Sequence, residues 1–138
     1  MKYYIDTNIF IYSTNSSDPH HLDCKRILEK IALGKIKALT SVETFQEIVH
    51  YSQKNKVLTR ALIFCQRFTI TDLSIVPFTI EILQSYLALV RKYPSINSRD
   101  SLHVATCLAN GGKLIVSTDK DFDKIKEIKR IDPKDFIS

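Results

Sequence analysis

Residues 99–125, RDSLHVATCLANGGKLIVSTDKDFDKI, contain a helix, a turn and a buried strand in one short stretch. Ser98 can cap a helix that reaches Ala109, and the Asn-Gly-Gly turn at 110–112 ends that helix. The apolar run at 113–117 then predicts a buried strand. A short charged helix is expected from Asp121, followed by a small edge strand at 129–131.

The same alternation of strands and helices extends from this stretch towards the N-terminus. Further strands are predicted at 3–6, 37–39 and 70–76, and further helices at 19–34, 42–54, 56–68 and 79–93. Alternating elements of this kind indicate a three-layer α/β/α sandwich whose central sheet is mostly parallel, with about four to five strands. No repeat, low-complexity stretch or linker divides the chain, so residues 1–138 are predicted to form a single domain.

The composition is that of a globular protein rather than a membrane protein. The 138 residues are 44% hydrophobic, and no apolar run approaches the roughly 18 residues of a membrane span. Asp6 interrupts the apolar N-terminus, which argues against a signal peptide and predicts a cytoplasmic location. Cys24, Cys65 and Cys107 are far apart and odd in number, and we interpret them as reduced core thiols.

The positive charge of the chain is unevenly distributed. Lysine and arginine number 20 against 15 acids, a formal net charge of +5. Within 48–71, a stretch without acids, lie Lys54, Lys56, Arg60 and Arg67. Such a basic face suits a polyanion. Taken alone, however, the same charges are better explained as an ordinary solvated helix surface.

Four acids stand at positions where the predicted fold would bring them together. Asp6 ends the first strand, and Asp119 follows the strand at 113–117. Glu47 lies on the helix at 42–54, and Asp100 lies in the first turn of the next-to-last predicted helix, on its apolar face. Since ligands gather beyond the carboxyl ends of parallel strands, we expect these four carboxylates to converge there.

Each of these acids also has an ordinary structural interpretation. Asp6 could cap a helix that follows it, Asp119 could cap a turn, Asp100 could favour a helix dipole, and Glu47 could be a solvated surface acid. Their combination argues otherwise, because two carboxylates about 5 Å apart repel by roughly 3 kcal/mol at an effective dielectric of about 20. A cluster of four therefore calls for a cation, and oxygen ligands favour Mg²⁺, with Mn²⁺ as a substitute.

Two other kinds of chemistry match the sequence less well. His50 and His103 are candidate acid–base groups. His103 shares the Asp100 face of its helix, but we interpret it as a packed or capping histidine. A haloacid-dehalogenase-type phosphatase would need a second aspartate two residues after Asp6, and that position is Asn8.

With the four acids in order, the chain resembles the PIN-domain ribonucleases, and among them the small VapC toxins of toxin–antitoxin pairs. The resemblance covers essentially the whole chain. It is carried by YIDTNIFIY at 4–12, by SVETFQEIVHY at 41–51, and above all by residues 99–125. In the last stretch an Asp opens an Ala-containing helix, and a Gly turn and an apolar strand lead to Ser-Thr-Asp and Asp-Phe.

The resemblance implies roles for particular residues. Asp6, Glu47, Asp100 and Asp119 would be the catalytic acids, and all but Glu47 would bind the metal. Supporting roles would fall to Thr7, Asn8, Ser117, Thr118, Asp121 and Asp123, and the choice between Asp121 and Asp123 as a further acid stays open. The basic residues at 54–67 would contact the RNA backbone.

The implied activity is metal-dependent cleavage of RNA phosphodiester bonds, leaving 5′-phosphate and 3′-hydroxyl ends. A toxin would form a homodimer and bind a cognate antitoxin protein. Two alternatives remain: a PIN-type RNA-processing nuclease without a toxin role, and a catalytically quiet PIN module that binds RNA or protein. Saturable stabilisation by Mn²⁺ would argue against the quiet module.

Overall fold

The computed structural model describes residues 2–136, and within them the chain forms a five-stranded sheet covered by helices. The strands are β1 (Tyr3–Ile5), β2 (Ala38–Ser41), β3 (Ser74–Val76), β4 (Leu114–Val116) and β5 (Lys129–Ile131). Their order is β3-β2-β1-β4-β5, and every neighbouring pair is parallel. The predicted α/β class is confirmed, and the sheet is wholly parallel rather than mostly so.

Seven α-helices and one 3₁₀ helix accompany these strands within the described residues. The α-helices are α1 (Thr7–Ser13), α2 (His21–Ala32), α3 (Val42–Lys54), α4 (Leu58–Phe68), α5 (Ile80–Lys92), α6 (Ser98–Ala109) and α7 (Pro133–Phe136). The 3₁₀ helix is Lys120–Lys124. None of the helices in the described part of the chain is long and apolar enough to cross a membrane.

Both faces of the sheet are buried, because successive strand residues point to opposite sides. Ile5 packs with Ile9 and the residues of α1 to α4 on one face. Tyr4 packs with Leu39 and Ile115 against α5 and α6 on the other. This alternation produces the three layers. The cysteines at 24, 65 and 107 are free and buried within these two cores, as predicted.

The predicted strand at 70–76 is wrong in its first half. The residues before Ser74 form a turn at the end of α4, in which the Thr71 hydroxyl and backbone N–H both bond to the Phe68 carbonyl, and Ile70 is 87% exposed. A threonine side chain that bonds to a nearby backbone carbonyl competes with strand pairing. The strand β3 therefore has only three residues.

Several predicted helix bounds also move. The helix predicted at 19–34 is α2, His21–Ala32, two residues shorter at each end. The helix predicted from Lys56 begins at Leu58, because Lys56 has a φ of 57° in the left-handed region and interrupts the helical path between α3 and α4. The cap of α6 is Asn97 rather than Ser98, since the Asn97 side chain accepts a hydrogen bond from the Arg99 backbone N–H. Asp100 stays in the first turn of α6.

Candidate active site

The carboxyl ends of β1, β2 and β4 lie side by side in the middle of the sheet, because β1 pairs with both of the other strands. Asp6 directly follows β1, and α3, which carries Glu47, directly follows β2. Asp119 comes three residues after the end of β4. The sheet order thus brings residues from three separate parts of the chain to one edge.

Asp6 is a buried helix cap, 5% exposed. Its Oδ1 accepts a hydrogen bond of 2.8 Å from the Thr7 backbone N–H, and its Oδ2 accepts one of 2.7 Å from the Ser117 hydroxyl. Burial raises the pKa of Asp6, and Glu47 adds to this, although His103 and both hydrogen bonds act in the opposite direction. Asp6 therefore does cap α1, and its surroundings disfavour its ionisation.

Ser117 links the two strand-end acids. Besides donating to Asp6, its Oγ accepts hydrogen bonds from the Asp119 backbone N–H at 3.0 Å and from Asn8 Nδ2 at 3.2 Å. The loop that carries Asp119 is thereby tied to the end of β1. Thr118, also predicted to support this loop, is half-buried.

Carboxylate oxygens of Asp100, Asp119 and Asp121 lie within 4.8 Å of one another. Asp119 also caps the 3₁₀ helix, because its Oδ1 accepts a hydrogen bond from the Asp121 backbone N–H. Asp123 does not join this group, since it forms two hydrogen bonds to Arg130, of 3.0 and 3.2 Å. Of the two acids between which the sequence did not decide, Asp121 is the one beside Asp100.

The pKa of Asp100 shows that the acids lie close to one another. Burial raises its pKa from the ordinary 3.8 to about 7, and the charges of Asp6, Asp119 and Glu47 contribute to the rise, while His103 opposes it. The neighbouring carboxylates are therefore close enough to disfavour the ionisation of Asp100. A cation bound among them would remove that penalty.

Glu47 reaches this edge with the help of His103. Its Oε1 lies 2.9 Å from His103 Nε2, which is itself 3.8 Å from Asp6 Oδ1. His103 is 1% exposed. Burial by itself lowers the pKa of this histidine, but Tyr4, Glu47 and Asp6 together raise it well above its usual value.

His103 contacts more of the site than its sequence position predicts. It is packed, as interpreted, and its polar partners are Tyr4, Thr7 and two of the candidate acids, Glu47 and Asp6. The available signal was its position three residues after Asp100, on the same face of α6. The identity of its partner, 56 residues away on α3, depended on tertiary structure.

Two of the four predicted RNA-contacting residues line a cavity. Arg60 and Arg67 line a cavity of about 310 Å³ between α1, α3 and α4, together with Phe10, Ile48 and Phe64. None of the four predicted catalytic acids lines this cavity. Lys54 and Lys56 are exposed at the connection between α3 and α4.

The donor set fits a hard divalent cation such as Mg²⁺. Asp100, Asp119 and Asp121 offer only carboxylate oxygens, the ligand type that this ion prefers. Asn8 Oδ1, on the amide that donates to Ser117, is buried and has no hydrogen-bond partner within residues 2–136. An unpaired acceptor beside a cluster of acids is consistent with a positively charged or water-bearing occupant.

The parallel sheet and its acidic edge define the class, and the chain belongs to the PIN domain family, whose model matches residues 3–128. Among curated proteins, Ribonuclease VapC13 of Mycobacterium tuberculosis is 28% identical over 130 residues, covering 92% of this chain and 97% of that protein. Ribonuclease VapC23 of the same species is 27% identical over 123 residues, covering 87% and 91%.

Solved structures show the same fold. VapBC2 from Rickettsia felis, bound to a DNA fragment from its promoter, aligns with a TM-score of 0.75 at 20% identity, covering 96% of this chain and 98% of that chain. VapC20 of Mycobacterium tuberculosis, described as a sarcin-ricin loop cleaving toxin, aligns with a TM-score of 0.73 at 17% identity, covering 90% and 95%. The predicted PIN-like architecture is thus confirmed.

Proposed function

We propose that this protein is a divalent-metal-dependent endoribonuclease of the VapC kind. The observation that carries the proposal is the meeting of Asp100, Asp119 and Asp121 within 4.8 Å, beside a buried Asp6 and a fixed Glu47. The VapC ribonucleases among its relatives match nearly its whole length, which supports RNA as the substrate.

In this proposal Asp6, Asp100 and Asp119 bind Mg²⁺, or Mn²⁺ in its place, and Asp121 adds a fourth carboxylate. When bound, such an ion lowers the pKa of a coordinated water and offsets negative charge on the phosphate. Glu47 orients the attacking water. Ser117 and the Thr7 backbone N–H hold the Asp6 carboxylate in place.

The substrate would approach across the basic part of the surface. Lys54, Lys56, Arg60 and Arg67 would contact the RNA backbone, positioning it without reading its sequence. The relatives also support a toxin role, because several solved neighbours are toxin–antitoxin complexes. We therefore propose a cytoplasmic toxin that forms a homodimer and binds a cognate antitoxin.

The test is a cleavage assay on total cellular RNA with the purified protein. We expect cleavage with Mn²⁺ or Mg²⁺ that stops on adding EDTA, with 5′-phosphate ends on the products. Asp6→Asn should abolish cleavage and keep the circular dichroism spectrum of the wild type. Asp123→Asn is the matched control, since Asp123 pairs with Arg130 outside the acid group, and it should cleave normally.

Two outcomes would contradict the proposal. Full metal-dependent cleavage by Asp6→Asn would remove that residue from the site. The absence of both RNA cleavage and a saturable rise in melting temperature with Mn²⁺ would favour a quiet PIN module instead. A processing nuclease without a toxin role would cleave RNA in vitro but would not arrest growth when expressed alone.

A further inference from the structure

A ladder of buried side-chain hydroxyls runs beneath the acidic edge and ends at His103. The Thr40 hydroxyl donates to the Ile5 carbonyl at 2.8 Å, and it lies 2.7 Å from the Thr44 hydroxyl. The Thr7 hydroxyl lies 3.5 Å from that of Thr44 and 3.3 Å from His103 Nε2. The three threonines and His103 are all at most 5% exposed.

The number of hydrogens on each hydroxyl determines which group donates in each hydrogen bond of this ladder. Each hydroxyl carries one hydrogen, and that of Thr40 is used on a carbonyl, which can only accept. Thr40 must therefore accept from Thr44, and Thr44 in turn accepts from Thr7. With its own hydrogen used on Thr44, Thr7 can only accept from His103.

The direction of the ladder makes His103 Nε2 a hydrogen-bond donor. Its single hydrogen points mainly to Glu47 Oε1, a carboxylate acceptor at 2.9 Å, and is shared with the longer contact of 3.3 Å to Thr7. The opposite ring nitrogen, Nδ1, contacts the Tyr4 hydroxyl. This hydroxyl can donate to a neutral ring or accept from a charged one, so Nε2 remains a donor towards Glu47 in both states.

We propose that His103 is a positioning residue that holds the Glu47 carboxylate at the acidic edge, in a ring orientation set by Tyr4 and the threonine ladder. A glutamate on a helix surface samples several rotamers, and a buried donor at 2.9 Å selects one of them. The bond joins α6, which carries Asp100, to α3, which carries Glu47. Its consequence for catalysis rests on the proposed nuclease function.

The orientation can be measured without any activity. A long-range ¹H–¹⁵N NMR spectrum of the metal-free protein should show His103 Nε2 as a protonated nitrogen. A ring protonated only at Nδ1 would overturn the proposal, because Nε2 could then donate neither to Thr7 nor to Glu47.

The functional consequence is tested with three variants at buried positions of α6. His103→Leu removes the donor, and His103→Gln keeps an amide donor in place of Nε2. Thr106→Val is the matched control, since within residues 2–136 the Thr106 hydroxyl bonds only to the Leu102 carbonyl of its own helix. We expect His103→Leu to lower kcat and Mn²⁺ affinity by about 10- to 100-fold, with KM for RNA unchanged. The reason is that Nε2 lies 2.9 Å from Glu47, which orients the metal-bound water, and 3.8 Å from the proposed ligand Asp6.

His103→Gln should recover most of both quantities, and Thr106→Val should match the wild type. A His103→Leu protein with the kcat and Mn²⁺ affinity of Thr106→Val would overturn the proposal. Should His103→Leu fail to fold, Tyr4→Phe frees the ring while keeping Nε2, and it should lower kcat with KM unchanged; a wild-type kcat would overturn the proposal. If the wild type cleaves no RNA, the nuclease function fails, while the NMR and Mn²⁺ measurements still decide the role of His103.

Discussion

Replacing Asp100 by asparagine should stabilise the metal-free protein. The carboxyl of Asp100 has a pKa of about 7 instead of 3.8, because it is partly buried among Asp6, Asp119 and Glu47. A change of that size corresponds to about 4 kcal/mol of free energy between the two protonation states. Since Asp100 is only half-buried and solvent screens part of the interaction, we expect about 2 kcal/mol.

The sign of the effect follows from proton binding. The folded protein keeps the Asp100 proton to a higher pH than the unfolded chain does, so the wild type loses stability as the pH rises from about 4 to about 7. Asp100→Asn lacks this loss. Its advantage over the wild type should therefore be about 2 kcal/mol near pH 8 and no more than about 1 kcal/mol near pH 5.

Urea unfolding in EDTA at both pH values measures these differences. Asp123→Asn serves as the control, because it removes an exposed acid that pairs with Arg130, and it should be neutral or slightly destabilising. An Asp100→Asn protein that is less stable than the wild type near pH 8 would refute the reasoning. With Mn²⁺ at about one hundred times its Kd, the wild type should gain about 2.7 kcal/mol, and the variant should gain clearly less.

Three further outcomes are expected. Asp121→Asn should weaken Mn²⁺ binding in a calorimetric titration, whereas Asp123→Asn should not. Equal effects of the two variants would contradict the placing of Asp121, and not Asp123, at the metal site. Replacing Lys54 and Arg60 together by glutamine should lower the slope of log K for RNA against log salt by about two, as for two lost phosphate contacts, while Lys113→Gln at the opposite end of β4 leaves it unchanged. Thr79→Ala removes the cap of α5 and should cost about 1 kcal/mol of stability without changing Mn²⁺ affinity, and an unchanged melting temperature would contradict the assigned cap.

Most of the elements could be predicted because their signals are local. The strand predicted at 113–117 and the helices predicted at 42–54 and 79–93 depend on residues a few positions apart, and the structure confirms them to within one residue at each end. The errors lie where a local signal was ambiguous. Residues 70–76, ITDLSIV, alternate only partly between apolar and polar, and the hydrogen bond of Thr71 to Phe68 produces a turn in the first half.

The sequence by itself determined which acids stand at strand ends and helix starts, and so the chemistry available to the site. Only the tertiary structure decided which of them meet, because contact between distant segments depends on the order of strands in the sheet. Placing β1 between β2 and β4 brought Asp6 to Ser117 across 111 residues. The choice of Asp121 over Asp123, and the bond from His103 to Glu47, depend on distances of a few ångströms that residue spacing does not specify.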